Sequence, residues 1–162
     1  MEYLILLIVI ILIDFFTKEK VKQELPIGEK KEIVKDKFYI WHIKNYGIAY
    51  NKFEKHTDII TAVTGIAISI FVVYFFRMIK ISQNIFKKLG LTLFLGGAVG
   101  NFIDRAKNKS VTDFLYYKKG NAPIFNFADI FIFLGSIIII IRELLENKWN
   151  CISTWKFMIF DL

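Results

Sequence analysis

An α-helical membrane protein, with four transmembrane helices and a small β-sheet between the first and second, is the fold class that three observations on this sequence predict. The chain is 55% hydrophobic with a mean hydropathy of +0.45, above the roughly half-apolar composition of a globular domain. Its apolar residues fall in blocks, and Ile59 to Phe76 is free of charge over 18 residues, close to the ~20 that cross ~30 Å of hydrocarbon. Asp14, Asp104 and Asp129 stand inside or at the mouth of such blocks, with Asp113 in a nearby polar connection. A charge in hydrocarbon costs at least ~2.5 kcal/mol, so acids retained there point to function.

The first span, over 3–20, is apolar from Tyr3 to Phe16 apart from Asp14. It has no basic stretch ahead of the apolar run and no small-residue cleavage site, so it is expected to be retained rather than removed as a secretory signal. A Lys- and Glu-rich region over 25–55 follows. Its stretch Phe38 to Asn45 is dense in aromatic and β-branched residues, which favour strands and predict a small sheet at the membrane surface. The second span, 57–77, holds the charge-free run. The third, 85–104, carries Lys87 and Lys88 at one end, where long stems can reach the headgroups. Arg105 to Ala122 reads as a short polar connection turning at Gly120-Asn121-Ala122-Pro123. The fourth span, 125–145, has Asp129 in its first turn, and Trp149, Trp155 and Phe157 of the tail 147–162 suit the membrane interface. No repeat or low-complexity tract divides the chain, so residues 1–162 form a single membrane domain.

Several function classes recede on composition. The formal charge of +7 could suit nucleic acid, but on a membrane chain basic residues contact anionic lipid. The single Cys151 excludes an intramolecular disulfide, and no Cys/His zinc pattern is present. His42 and His56 are isolated, without a Glu at H-E-x-x-H spacing. Ser69 and Ser136 lie in apolar helix outside any G-x-S-x-G setting, where a hydroxyl bonded back to its own helix is expected. Basic residues lie both between Arg77 and Lys88 and between Arg105 and Lys119, so charge alone leaves the orientation open. Four spans place both termini on one side, and put Asp113 and Asp129 on the side of the strand-rich region.

The acids must be taken with their neighbours. Asp14 and Lys18 are four apart, acid first, as an ion pair on one helical face requires. Gly96 and Gly100, in the run Gly96-Gly97-Ala98-Val99-Gly100-Asn101, have the G-x-x-x-G spacing of a helix that approaches a neighbour closely. Asn101, Asp104 and Arg105 extend that helix into a polar end. Asn126 and Asp129 read as a plain helix start, N-cap and third position. They also read as half of a catalytic pair if Asp113 folds against Asp129, since two close carboxylates share one proton. Such a pair can activate water and protonate a leaving amine.

At this point the chain resembles the signal peptidase II family over nearly its whole length. Asp14-Phe15-Phe16-Thr17-Lys18 is similar to the family's D-x-x-[ST]-K, and Asn45-Tyr46-Gly47-Ile48-Ala49-Tyr50 to its N-x-G-x-A-[aromatic]. Gly96 to Arg105 resembles G-G-A-x-G-N-x-x-D-R, while Val111-Thr112-Asp113-Phe114 and Phe125-Asn126-Phe127-Ala128-Asp129 look like the blocks that carry the catalytic aspartates. The resemblance implies an aspartyl endopeptidase that cuts prolipoproteins amino-terminal to a diacylglyceryl-modified Cys. It implies Asp113 and Asp129 as the dyad, with Asn45, Gly47, Asn101, Asp104, Arg105, Asn126 and Ala128 lining the site and Asp14 and Lys18 supporting it. It further implies a multi-pass protein of the bacterial cytoplasmic membrane, with cytoplasmic termini and an extracytoplasmic sheet. A monomer is expected, with no metal, no cofactor and no nucleic-acid partner, meeting lipid-modified prolipoproteins and membrane lipids. Two positions depart from the family pattern: Tyr50, where Phe is usual, and Ile130, where a small residue is common.

A rival class is a small proton-coupled transporter, which also uses intramembrane carboxylates. It predicts acids near the bilayer midplane and similar halves with broken helices, whereas Asp113 and Asp129 lie near span ends and the halves show no similarity. A purely structural adaptor would leave the clustered polar residues without purpose.

Overall fold

The structure is a computed structural model that describes residues 1–47, 53–120 and 122–160, with backbone alone over 147–160. Tyr50, Asn121 and the side chains of Trp149, Trp155 and Phe157 lie outside the described residues. Among the described residues four long helices and three strands follow in the order α1 (Glu2–Glu24), β1 (Lys30–Val34), β2 (Phe38–Asn45), α2 (Thr57–Ile81), α3 (Ile85–Asn108), β3 (Val111–Tyr117) and α4 (Phe127–Phe160). A single turn of 3-10 helix, Glu54–His56, leads into α2.

The helix α3 is central and touches the other three. It begins at Asn84, whose side chain accepts from the Lys87 amide, and ends where Lys109 turns left-handed at φ 55°. Its glycines face two ways. A Cβ on Gly100 would stand 2.5 Å from Asp14 Oδ2, and one on Gly96 2.7 Å from Ile10, both on α1; one on Gly97 would strike the Ala128 carbonyl of α4. The G-x-x-x-G pair therefore seats α1, and the intervening Gly97 seats the first turn of α4, as close backbone approach demands. On the third side Phe75 of α2 packs with Leu91 and Leu95 in a buried cluster.

Among the described residues one helix, α2 with its leading turn (Glu54–Ile81), is by itself long and apolar enough to cross a membrane. Ile59, Val63, Ile66, Ile70 and Val73 form an exposed stripe along it. Exposed apolar side chains also mark α1 (Ile5, Ile8, Leu12, Phe16) and α4 (Phe133, Ile140, Ile141, Leu144). An apolar surface of this extent calls for a nonaqueous neighbour.

The sheet departs from expectation. Phe38–Asn45 is the strand its composition predicts, paired antiparallel with β1, but the sheet has a third strand, in the order β1-β2-β3. That strand, Val111–Tyr117, lies in the segment read as a polar connection, and α3 continues to Asn108, past the expected end at 104. The reason is local: Val111-Thr112-Asp113-Phe114-Leu115-Tyr116-Tyr117 is β-branched and aromatic at all but two positions, and the lysines around it hide the signal. β2 pairs β3 with Ile43 opposite Asp113 and Lys44 opposite Thr112, after a bulge between Ile40 and Ile43. Thr57 Oγ1 donates to the Tyr46 carbonyl at 2.6 Å, fixing the end of β2 to the start of α2. The hydroxyls of Ser69 and Ser136 donate to Gly65 and Ile132 of their own helices, as expected.

Candidate active site

The polar residues singled out in the sequence converge where β3, the end of α3 and the start of α4 meet. Asp113 is 5% exposed. Its Oδ2 accepts from Asn45 Nδ2 at 3.0 Å and its Oδ1 from Asn126 Nδ2 at 2.7 Å. Asn45 is itself turned by the Gly47 amide, which donates to its Oδ1 at 3.1 Å.

Asn126 and Asp129 cap α4 reciprocally. The Asp129 amide donates to Asn126 Oδ1 at 3.0 Å, and the Asn126 amide to Asp129 Oδ2 at 3.1 Å. This is the logic of a capping box with Asn and Asp in place of Ser and Glu. The helix-start reading and the paired-acid reading are therefore compatible, because Asn126 has a side-chain amide left over to hold Asp113. Asp129 Oδ1 accepts from Asn101 Nδ2 at 2.8 Å.

Asp14 and Lys18 lie behind this layer. Lys18 Nζ donates to Asp14 Oδ2 at 2.7 Å and to Asn101 Oδ1 at 2.9 Å, with both charged side chains buried. The second bond fixes which end of the Asn101 amide faces Asp129. Asp14 Oδ1 accepts from the Ala128 amide at 3.0 Å, so an acid of α1 satisfies an orphan donor in the first turn of α4.

Arg105 Nη2 donates to the Gly47 carbonyl at 2.9 Å, while its buried Nε has no partner among the described residues. Its guanidinium stands within electrostatic reach of Asp113 and Asp129. Asp104 has another set of partners. It accepts from the Thr112 amide at 2.7 Å, Lys22 Nζ at 3.0 Å and Asn108 Nδ2 at 2.6 Å, and so clamps the backbone next to Asp113 rather than bonding to either acid. Lys22 and Asn108 escaped the sequence reading. Both sit one turn beyond a recognised residue, Lys18 or Asp104, and that four-residue spacing was the available signal.

Burial pushes the Asp113 carboxyl up to about 6, the negative charge of Asp129 adds to this, and the Asn45 and Asn126 bonds oppose it. Near neutral pH the group can therefore either hold or release a proton, as acid–base work requires. No group of three or more His, Cys, Asp or Glu that could hold a metal ion occurs among the described residues.

Comparison with known proteins gives a consistent result. Residues 6–145 match the family model described as signal peptidase (SPase) II. The chain is 39% identical to a lipoprotein signal peptidase of Wigglesworthia glossinidia brevipalpis, over 86% of this chain and 92% of that one. It is 35% identical to a lipoprotein signal peptidase of Clostridium tetani, over 93% and 96%. Its fold is similar to that of a bacterial membrane enzyme solved by the in meso method at 2.3 Å, with a TM-score of 0.81, 31% identity, and coverage of 92% and 90%.

Proposed function

The chain belongs to the signal peptidase II family, and from that premise we propose that it is an aspartyl endopeptidase acting through Asp113 and Asp129. Membership makes it a membrane peptidase that cleaves lipoprotein signal peptides. The finer reading is that its substrates carry a diacylglyceryl group on the Cys that follows the cut. The observation that carries the mechanism is Asn126, one side chain that bonds Asp113 at 2.7 Å and closes a reciprocal cap with Asp129.

Two carboxylates held this way share one proton. The ionised member takes a proton from water as the water oxygen attacks the peptide carbonyl carbon. The protonated member gives its proton to the departing nitrogen as the C–N bond breaks, and the pair returns to its starting charge. Asp113, pushed up to about 6, is suited to hold the shared proton at rest. Arg105 and Asn45 fix the Gly47 backbone at the edge of the site, where an extended substrate segment would lie. We read all four helices as spans, with cytoplasmic termini, an extracytoplasmic sheet, and a monomer in the bacterial cytoplasmic membrane. The exposed apolar residues of α1, α2 and α4 support the lipid contact of those three helices. No observation favours the transporter reading.

The test is cleavage of a diacylglyceryl-modified prolipoprotein by the purified protein. Wild type should turn over, and Asp113→Asn and Asp129→Asn should each lose at least ~100-fold, the lower range for a positioned acid or base. Near-normal turnover by either variant would sink the dyad.

A further inference from the structure

One row of side chains on α1 reaches toward both acids. Ile10, Asp14 and Lys18 are the buried residues of that helix, four apart, and Lys22 stands next in the row, in the last turn. Lys18 bonds Asn101 and, through it, Asp129. Lys22, one turn further on, donates from Nζ to Asp104 Oδ1 at 3.0 Å and to Glu19 Oε1 at 3.0 Å.

β3 is an edge strand, open on one side to partners from outside the sheet. Two of these partners flank Asp113. After it, the Phe114 and Leu115 amides donate to the Phe125 carbonyl at 3.0 and 2.7 Å, in the segment that runs directly into Asn126. Before it, the Thr112 amide donates to Asp104 Oδ2 at 2.7 Å. Asp113 is thus bracketed, by backbone on one side and by a carboxylate on the other. How firmly the second bracket holds depends on what holds that carboxylate.

Three donors share it: the Thr112 amide, Asn108 Nδ2 and Lys22 Nζ. Lys22 alone of the three is charged. Asp104 is 5% exposed, and removing the cation from a buried pair leaves a charge that the interior does not compensate. The half-open Lys22–Glu19 contact, by contrast, contributes little. A carboxylate without its cation turns toward water, and its charge-assisted bond to the Thr112 amide slackens with it.

We propose that Lys22 is a positioning residue for the reaction: through Asp104 and the Thr112 amide it fixes the strand so that Asp113 stays seated against Asn126. The role rests on Asp113 and Asp129 being the catalytic pair. The segment that resembles D-x-x-[ST]-K ends at Lys18, four residues short of Lys22.

Full-length protein in detergent gives two separate readouts, amide hydrogen exchange at Thr112 and steady-state cleavage of a diacylglyceryl-modified prolipoprotein. Both are taken at a temperature where every variant is folded by its melting curve. In Lys22→Met, exchange at Thr112 should quicken about tenfold through local opening, while the Ala128 amide, bonded to Asp14, keeps its wild-type rate. The value of kcat should fall about tenfold with KM within about twofold, inside the ~100-fold that a misplacement of ~1 Å can cost. Lys22→Arg should restore both readouts. Glu19→Gln, which removes the other partner of Lys22 and leaves Asp104 paired, should change neither. Lys22→Gln, which loses the charge and keeps a donor, replaces Lys22→Met if that variant does not fold. Wild-type exchange at Thr112 in the charge-free variant, an unchanged kcat, or equal losses in Glu19→Gln would overturn the role of Lys22. Asp113→Asn, assayed alongside, separates that result from the premise. Near-normal kcat there would sink the acid pair and this role with it, whereas an inactive Asp113→Asn beside an unaffected Lys22→Met would sink the role alone.

Discussion

The carboxyl of Asp113 carries the clearest residue-scale consequence. Its folded value of about 6 lies above the ordinary 3.8, so the folded state holds the proton more tightly than the unfolded chain. Stability from this group is full below 3.8 and is lost as pH rises through 6. Chemical denaturation of wild type against Asp113→Asn should show the variant's relative stability climbing between pH 4 and 6 and levelling above. The total change should be about 3 kcal/mol, at 1.36 per unit; a flat difference would mean that burial does not raise this carboxyl. Lys18 gives a second test. Lys18→Met leaves buried Asp14 unpaired, at a cost of about 3–5 kcal/mol, and Asp14→Asn in the same chain should recover much of it. Thermal unfolding of the two single variants and the double variant in detergent measures that coupling. The Asp14–Lys18 pair was legible from its spacing of four. The bond from Asp14 to the Ala128 amide was not, because periodicity reports neighbours along one helix and says nothing about a second helix far along the chain.

At the scale of elements, the four helices and β2 could be read because each shows a long apolar block or a dense β-branched and aromatic run. β3 could not, since seven residues between lysine-rich flanks look like a loop until β2 offers them an edge. That omission separated Asp113 from its scaffold: the sequence identified the acid, and only the register shows that a strand presents it beside Asn45. Packing of α3 on α4 has its own test. Gly97→Ala would drive a methyl into the Ala128 carbonyl and Ile132, with an overpacking cost of about 1–3 kcal/mol, and would push the first turn of α4 away from Asn101. Peptidase activity should fall far more than stability. Gly28→Ala meets nothing within 4 Å but sits at φ +88°, so it should lower the melting temperature through backbone strain while leaving turnover near normal. Equal activity losses would show that the α3–α4 spacing is not what sets the site.

For the whole molecule, the central issue is which side of the membrane each end of the bundle faces. Lys80 stands at the end of α2 and Lys118 just after β3. In a Cys151→Ser background, a cysteine at 118 should react with a membrane-impermeant maleimide in intact cells, and one at 80 only after the membrane is permeabilised. Labelling of both from one face would remove a span and put the sheet on the wrong side of α2. The charge distribution left this undecided because both polar ends of the bundle are lysine-rich.

The sheet is stitched from two stretches of chain that leave the ribosome far apart in time. β1 and β2 are complete before α2 and α3 have been made, and β3 follows only then. At ~5–20 residues per second, the β2 edge waits several seconds for its partner, and through that interval Asn45 has no acid to hold. Asn126 arrives later still. With the proposed dyad of Asp113 and Asp129, a hydrolase assembled in this order would be inert while its earlier helices are being made, and would become able to cut only when the start of its last helix is in place.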